Sequence, residues 1–317
     1  MKILLTGGAG FIGSAVLVAL LKRGEEVVVV DAFEETLYPR WRKEKNLEWA
    51  RTFGDFEFHE VDIRDADSMS ALVTPELNAI IHLAAVAGVR PSIEKAPLYF
   101  DINVTATSLL LELGRKAGLE RFVLASSSSV YGNNTKVPFA ETDDVSNPIS
   151  PYAASKYALE VLSKTHVNLH GGHVSCLRFF TVYGPRQRPE MAMHKFMDLI
   201  AKGEAVPMFG DGRTARDYTY IDDIVSGVIA TLDRPDGFKV YNLGGDRVVH
   251  LDELIATIGR IVGREPVIQK LPMQPGDVPL TNADLTISRA ELGYDPQTTL
   301  EAGLEAMWQW YQTFEVR

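Results

Sequence analysis

Short apolar runs alternate with helical patterns through the first half of the chain. Residues 3–5, 27–30, 79–83 and 121–125 are nearly continuous in Val, Ile, Leu, Phe and Ala, residues 56–61 and 174–179 are half Val, Leu or Phe, and all six runs predict strands. Residues 13–23, 66–73, 98–117 and 152–170, lying between them, carry apolar side chains at helical spacing and predict helices. Strands without polar alternation, separated by helices, need cover on both faces. The pattern therefore predicts an α/β fold with a doubly wound parallel sheet. Ligands of such sheets gather at the carboxyl ends of the strands.

From about residue 180 the rhythm changes. Turn signals fall at Gly184-Pro185, Gly210-Asp211-Gly212 and Pro275-Gly276, and residues 193–202, 251–262 and 300–314 predict further helices. No long polar linker, internal repeat or low-complexity tract interrupts the chain. A second, smaller α/β lobe is therefore expected to pack directly on the first and to form a cleft with it.

Charge and cysteine usage narrow the function classes. The 317 residues carry a formal charge of −10, which disfavours a nucleic-acid partner, because phosphate contacts need concentrated Lys and Arg. The dense basic run, residues 40–45, sits among acids and reads as a solvated helix face. Cys176 is the single cysteine and lies inside a predicted strand, so a buried thiol is expected rather than a nucleophile or a disulfide. No secretory signal or apolar stretch of about 20 residues is evident, and a cytoplasmic protein without a membrane partner is expected. No metal site is expected.

Thr6-Gly-Gly-Ala-Gly-Phe-Ile-Gly13 follows the first predicted strand and opens the first predicted helix. In that context Gly7, Gly10 and Gly13 allow a tight turn, close approach to a pyrophosphate and close helix-to-strand packing, with Phe11 and Ile12 at the helix N-terminus facing the anion. Asp31 ends the second strand, where a carboxylate can accept the adenosine ribose hydroxyls and repel a 2′-phosphate, favouring NAD over NADP. Asp62 and Ile63 follow the third strand and belong at the adenine edge. Leu83, Ala84 and Ala85 follow the fourth and leave room for the cofactor backbone. His82 reads as a packed strand-end histidine. Residues 1–178 with about 213–245 are expected to form this Rossmann domain, and about 179–212 with 246–317 the substrate lobe. Residues 32–53, rich in aromatic and charged side chains, are expected to cover the adenosine end.

Tyr152 and Lys156 lie four apart in a predicted helix and project from one face. A neighbouring ammonium and a positive nicotinamide ring both favour a phenolate, so Tyr152 is expected to titrate toward neutrality and to act as a general base. Ser127, in the cluster Ser126-Ser-Ser-Ser129 at a strand end, can donate a hydrogen bond to a reacting hydroxyl.

Over nearly its whole length the sequence resembles the extended short-chain dehydrogenase/reductases of the NAD-dependent epimerase/dehydratase family. That resemblance implies a catalytic set of Ser127, Tyr152 and Lys156, a tightly held NAD, and Asn103 near the nicotinamide ribose. It also implies a homodimer built on the helices at 98–117 and 152–170. Within the family, Leu177-Arg-Phe-Phe-Thr-Val-Tyr-Gly-Pro-Arg-Gln-Arg-Pro189 is similar to the corresponding segment of UDP-glucuronate 4-epimerases. So are Ala87-Gly-Val-Arg90, Thr214-Ala-Arg-Asp-Tyr-Thr-Tyr-Ile-Asp222 and Gln274-Pro-Gly-Asp277. The resemblance implies Arg90, Thr181 and Arg188 at the substrate, Arg216 at its diphosphate and Asp277 at the uridine ribose. A planar guanidinium clamps a carboxylate with two parallel bonds, so Arg188 is expected to read a uronate. The family's 4,6-dehydratases carry an Asp-Glu pair where this chain has Ser128 and Ser129, and its decarboxylases place a glutamate where Ser129 stands. Inversion at C4 of UDP-glucuronate is thus the expected activity. A UDP-glucose 4-epimerase, a UDP-glucuronate decarboxylase and a non-catalytic nucleotide-sugar binder remain as alternatives.

Overall fold

The computed structural model describes residues 1–272 and 278–315. In chain order its elements begin with β1 (Lys2–Thr6), α1 (Phe11–Lys22), β2 (Glu26–Asp31), α2 (Arg40–Arg51), β3 (Glu57–Glu60), α3 (Ala66–Leu72) and β4 (Ala79–His82). Then come α4 (Val89–Glu94), α5 (Ala96–Phe100), α6 (Ala106–Lys116), β5 (Arg121–Ser127), α7 (Pro151–His170) and β6 (His173–Phe179). The remainder comprises β7 (Thr181–Tyr183), α8 (Ala192–Lys202), β8 (Ala205–Phe209), β9 (Ala215–Tyr220), α9 (Ile221–Asp233), β10 (Phe238–Leu243), β11 (Val248–His250), α10 (Leu251–Val262), β12 (Val267–Leu271) and α11 (Leu300–Phe314).

Seven strands form one sheet in the order β10-β6-β5-β4-β1-β2-β3, and every neighbouring pair is parallel. Strands β1, β2 and β4 are buried on both faces, with Ile3, Leu4, Leu5, Val29, Val30, Ile80 and Ile81 fully inaccessible. Each such side chain contributes roughly 1.5–3 kcal/mol of burial free energy, which is why unbroken apolar runs mark these strands so plainly. One layer packs α1, α2 and α9 on the sheet, and the opposite layer packs α3, α6 and α7. The strand order reverses between β1 and its two neighbours, β2 and β4, and that reversal places a crevice at their carboxyl ends.

A third apolar cluster joins α8, α10 and α11 through Phe196, Met197, Ile200, Ile255, Ile258, Met307 and Trp310. Two small sheets, β11-β9-β7 and β12-β8, accompany it. Among the described residues no helix is long and apolar enough to cross a membrane.

Three features differ from the sequence expectation. The helix expected over 98–117 is divided, because residues Asp101–Thr105 form a π-turn between α5 and α6. The run 40–45 is only partly a solvated face: Arg40 pairs outward with Glu44 and Glu60, whereas Arg42 meets Glu315 and Lys43 turns toward Asp31. The strand β10 and the helix α9 stand outside the set of elements that the apolar runs predict. Cys176 is fully buried in β6 and its thiol is pushed up by desolvation, in line with an inert strand cysteine.

Candidate active site

The turn after β1 is built by its glycines. Gly7 has φ +72, and a Cβ there would stand 2.6 Å from the Ala84 nitrogen. A Cβ on Gly13 would stand 2.0 Å from the Gly7 carbonyl oxygen, so only hydrogen fits where α1 crosses the loop. Gly10 caps α1 in an extended conformation without any side-chain hydrogen bond, and the first turn carries no acid. Its N–H groups therefore point toward the crevice, with the Tyr38 hydroxyl beside the Phe11 N–H.

Asp31 closes β2 beside this turn. Its carboxylate accepts from the Ala9 N–H at 3.2 Å and the Phe33 N–H at 2.9 Å, and Lys43 Nζ lies 3.5 Å away. A close-approach glycine turn, an uncapped helix start and a strand-end carboxylate together fit a dinucleotide.

Residues Ser150 and Pro151 set where α7 begins. The Ser150 hydroxyl accepts from the Ala153 N–H at 3.1 Å, and proline occupies the first turn, where a missing N–H costs nothing. That start aims Tyr152 and Lys156 at the end of β5, which delivers Ser127. The Ser127 hydroxyl accepts from the Ser129 N–H at 3.2 Å and faces the Tyr152 phenol. Lys156 is almost completely buried and donates to the Ala125 carbonyl at 2.8 Å.

One cavity of about 300 Å³ joins these parts. Its lining includes Gly7, Gly10, Phe11, Ile12, Gly13, Asp31, Asp62, Ile63, Leu83, Ala84 and Ala85. Ser127, Tyr152, Lys156 and Arg188 line the same space. Asn103 is buried in the π-turn instead, where its amide exchanges hydrogen bonds with Val86 and donates to Ser155. Thr181, Arg90 and Arg216 lie outside the lining. Thr181 opens β7, Arg90 stands over the Phe209 ring at 5.6 Å, and Arg216 donates to the Ala215 carbonyl. Asp277 is outside the described residues.

The electrostatics show what the chain's own groups contribute at the phenol. Burial raises the Tyr152 phenol above its ordinary value, opposed by the Ser127 hydroxyl and the positive charge of Arg188. Lys156 does not bring the phenol toward neutrality, because its ammonium is engaged with Ala125 and burial lowers its own pKa to about 8. The further positive charge that would favour a phenolate has to come from a ligand in the cavity. His82 is neutral, held down to about 3 by burial, and bridges the hydroxyls of Thr6 and Thr107 at 2.7 and 3.0 Å. It is a packed strand-end histidine, as its position after an apolar run implied.

The cavity also has lining that the motifs did not reveal. Tyr38, Lys43, Phe180 and Met191 all reach it. Tyr38 and Lys43 come from the aromatic and charged segment expected to cover the adenosine end. Phe180 had a signal as well, since it directly precedes Thr181 in the segment carrying Arg188.

Residues 3–244 match the model of the NAD dependent epimerase/dehydratase family. The chain belongs to that family. It is 40% identical over 313 residues to a UDP-glucuronate 4-epimerase of Thermodesulfobacterium geofontis, covering 97% of this chain and 95% of the relative. Among solved structures it is similar to the UDP-glucuronic acid 4-epimerase of Bacillus cereus in complex with UDP-glucuronic acid and NAD, at 35% identity and a TM-score of 0.93 over 99% of both chains. A UDP-glucose 4-epimerase of Thermotoga maritima with UDP-glucose is similar at 33% identity and a TM-score of 0.90, again over 99% of both chains. As a member of the family, the chain places its glycine turn and its Ser–Tyr–Lys set on one crevice of a parallel seven-stranded sheet.

Proposed function

We propose that this epimerase-family member inverts C4 of a UDP-sugar, converting UDP-glucuronate to UDP-galacturonate through a 4-keto intermediate. The observation that carries the reading is Arg188. Arg188 lines the same cavity as Ser127, Tyr152 and Lys156, its Nε lies 3.2 Å from Glu190, and its charge is felt at the phenol. A cation placed there suits a substrate with a carboxylate one carbon beyond the ring.

Residues 1–178 with about 213–245 hold NAD in this reading, and about 179–212 with 246–317 hold the nucleotide sugar. Gly7, Gly10, Phe11, Ile12 and Gly13 cradle the diphosphate, Asp31 takes the adenosine ribose, Asp62 and Ile63 the adenine, and Leu83, Ala84 and Ala85 the central backbone. Asn103 acts indirectly, by fixing the Val86 turn against α7. When bound, the nicotinamide supplies the acceptor and donor of hydride at C4.

Tyr152 takes the C4 hydroxyl proton and later returns a proton to the C4 oxygen, once the 4-keto sugar has turned in the pocket to present its opposite face. Ser127 donates a hydrogen bond to the same oxygen. Lys156 holds the Ala125 carbonyl and keeps the helix and the strand end in register. Arg188, with Thr181, holds the C6 carboxylate near the ring plane and so suppresses loss of CO2 from a β-keto acid. Arg90 meets the sugar side, Arg216 the diphosphate and Asp277 the uridine ribose.

Exposed Phe100, Val161 and Leu169 on α5 and α7 support a homodimer across these helices. A chain whose one thiol is buried fits the cytoplasm.

The second reading, a UDP-glucose 4-epimerase, draws on the likeness to the T. maritima enzyme. Arg188→Ala separates the two. Its expected effect is a dissociation constant for UDP-glucuronate weakened about 10- to 100-fold, the worth of one or two charge-assisted bonds, with UDP-glucose changed by less than about threefold. Equal weakening of both sugars in titration calorimetry would remove the uronate assignment.

A further inference from the structure

Helix α2, which carries Trp41 and Trp49, connects three parts of the molecule. Asn46 Nδ2 donates to the Ala9 carbonyl in the glycine turn at 2.9 Å. Arg42 pairs with Glu315 beyond α11, and Trp41 stacks on Phe314 at 5.8 Å. Trp49 lies under the Arg186 guanidinium, 3.7 Å from the ring centroid.

Arg186 is an unusual residue in an unusual place. It stands two positions before Arg188 and has φ +69, the left-handed region that disfavours a residue bearing a side chain. Its Nε is buried without a hydrogen-bond partner. Burial lowers its pKa to about 10. A conformation this costly persists only where neighbouring contacts over-determine it.

Two such contacts are present. Gln187, almost fully buried, donates from Nε2 to the Val182 carbonyl at 2.8 Å and accepts the His194 N–H at 3.1 Å, while its carbonyl lies 2.8 Å from His194 Nδ1. The indole of Trp49 supplies the other, a desolvated cation–π stack. With Arg186 stacked and Gln187 wedged, the backbone that presents Arg188 to the cavity has one available direction.

We infer that Trp49 is a positioning residue for sugar recognition: by holding Arg186 in its left-handed conformation, it fixes how Arg188 enters the cavity, and helix α2 thereby sets selectivity for acid sugars. This rests on the reading of Arg188 as the carboxylate partner. Trp49 itself touches no reacting atom.

Titration calorimetry on Trp49→Ala, Trp49→Phe, Arg188→Ala and the Trp49→Ala/Arg188→Ala double variant tests it, with thermal melts to verify folding. Trp49→Ala is expected to weaken UDP-glucuronate about tenfold, a coupling ordinary for residues in contact through a shared backbone, and UDP-glucose less than about twofold. Trp49→Phe, which keeps a ring under the guanidinium, restores most of the loss. In the Arg188→Ala background the Trp49→Ala change has no further effect. Loss by the same factor in both backgrounds, or no loss in either, overturns the inference. Should Arg188→Ala weaken both sugars equally, the carboxylate reading falls, and the non-additivity of the pair still decides whether Trp49 acts through Arg188.

Discussion

Tyr152→Phe lowers turnover by about 10²- to 10⁴-fold and leaves UDP-sugar binding within about twofold. The substitution removes one oxygen from a side chain that lines the cavity and packs its ring edge-on to Tyr99, at 6.1 Å between centroids. The ring, and with it the wall of the cavity, stays. What is lost is the group that accepts and returns the C4 hydroxyl proton. Burial holds the phenol protonated in the protein's own field, so ionisation has to be coupled to occupation of the cavity. That coupling also guards the enzyme, because a phenolate appears only where its proton acceptor function is wanted. Steady-state kinetics and calorimetry on the same preparation check both halves. Turnover near that of the parent enzyme would assign the base elsewhere.

Gly13→Ala abolishes dinucleotide retention. Its Cβ would stand 2.0 Å from the Gly7 carbonyl oxygen and 2.9 Å from the Gly8 Cα, both main-chain atoms that cannot swing aside. The first turn of α1 must then lift from the glycine loop, and the N–H groups aimed at a diphosphate move with it. Gly10→Ala is the milder companion, with its nearest contact at 3.2 Å. Nucleotide released on denaturing the purified variants reports the result directly. Gly13→Ala protein is expected to release almost none and Gly10→Ala protein an intermediate amount. Full occupancy in Gly13→Ala would show that this loop does not hold the dinucleotide.

The strands most legible in the sequence are those buried on both faces. Residues 27–30 and 79–83 needed no alternation to be recognised, because β2 and β4 are covered above and below. β10 was not recognised for the converse reason: it lies at the sheet edge, and Phe238, Lys239 and Val240 are only partly buried. α9 carries apolar positions at Ile221, Ile224, Val228 and Leu232, a valid helical spacing that follows a segment read for its motif instead. The π-turn at Asp101–Thr105 leaves no mark in hydrophobic periodicity, since one wider turn shifts the register by a single residue.

At the site, the glycine turn and the residues Ser127, Tyr152 and Lys156 were legible because local spacing alone puts them at strand ends or on one helical face. Tyr38 and Lys43 were not, since their direction depends on how α2 is tied to Ala9, Arg186 and Glu315. The environment of the Lys156 ammonium was hidden for a related reason. Four residues of helical spacing place Lys156 near Tyr152, but only the fold shows that its ammonium is spent on Ala125.

In the proposed reaction, hydrogen at C4 departs and returns within one cavity while the carboxylate is retained. UDP-glucuronate carrying deuterium at C4, incubated with the protein in ordinary water and followed by NMR, tests it most directly. UDP-galacturonate with deuterium still on C4, and no CO2 released, is the expected result. Deuterium lost to solvent, or a decarboxylated pentose as the product, would contradict it.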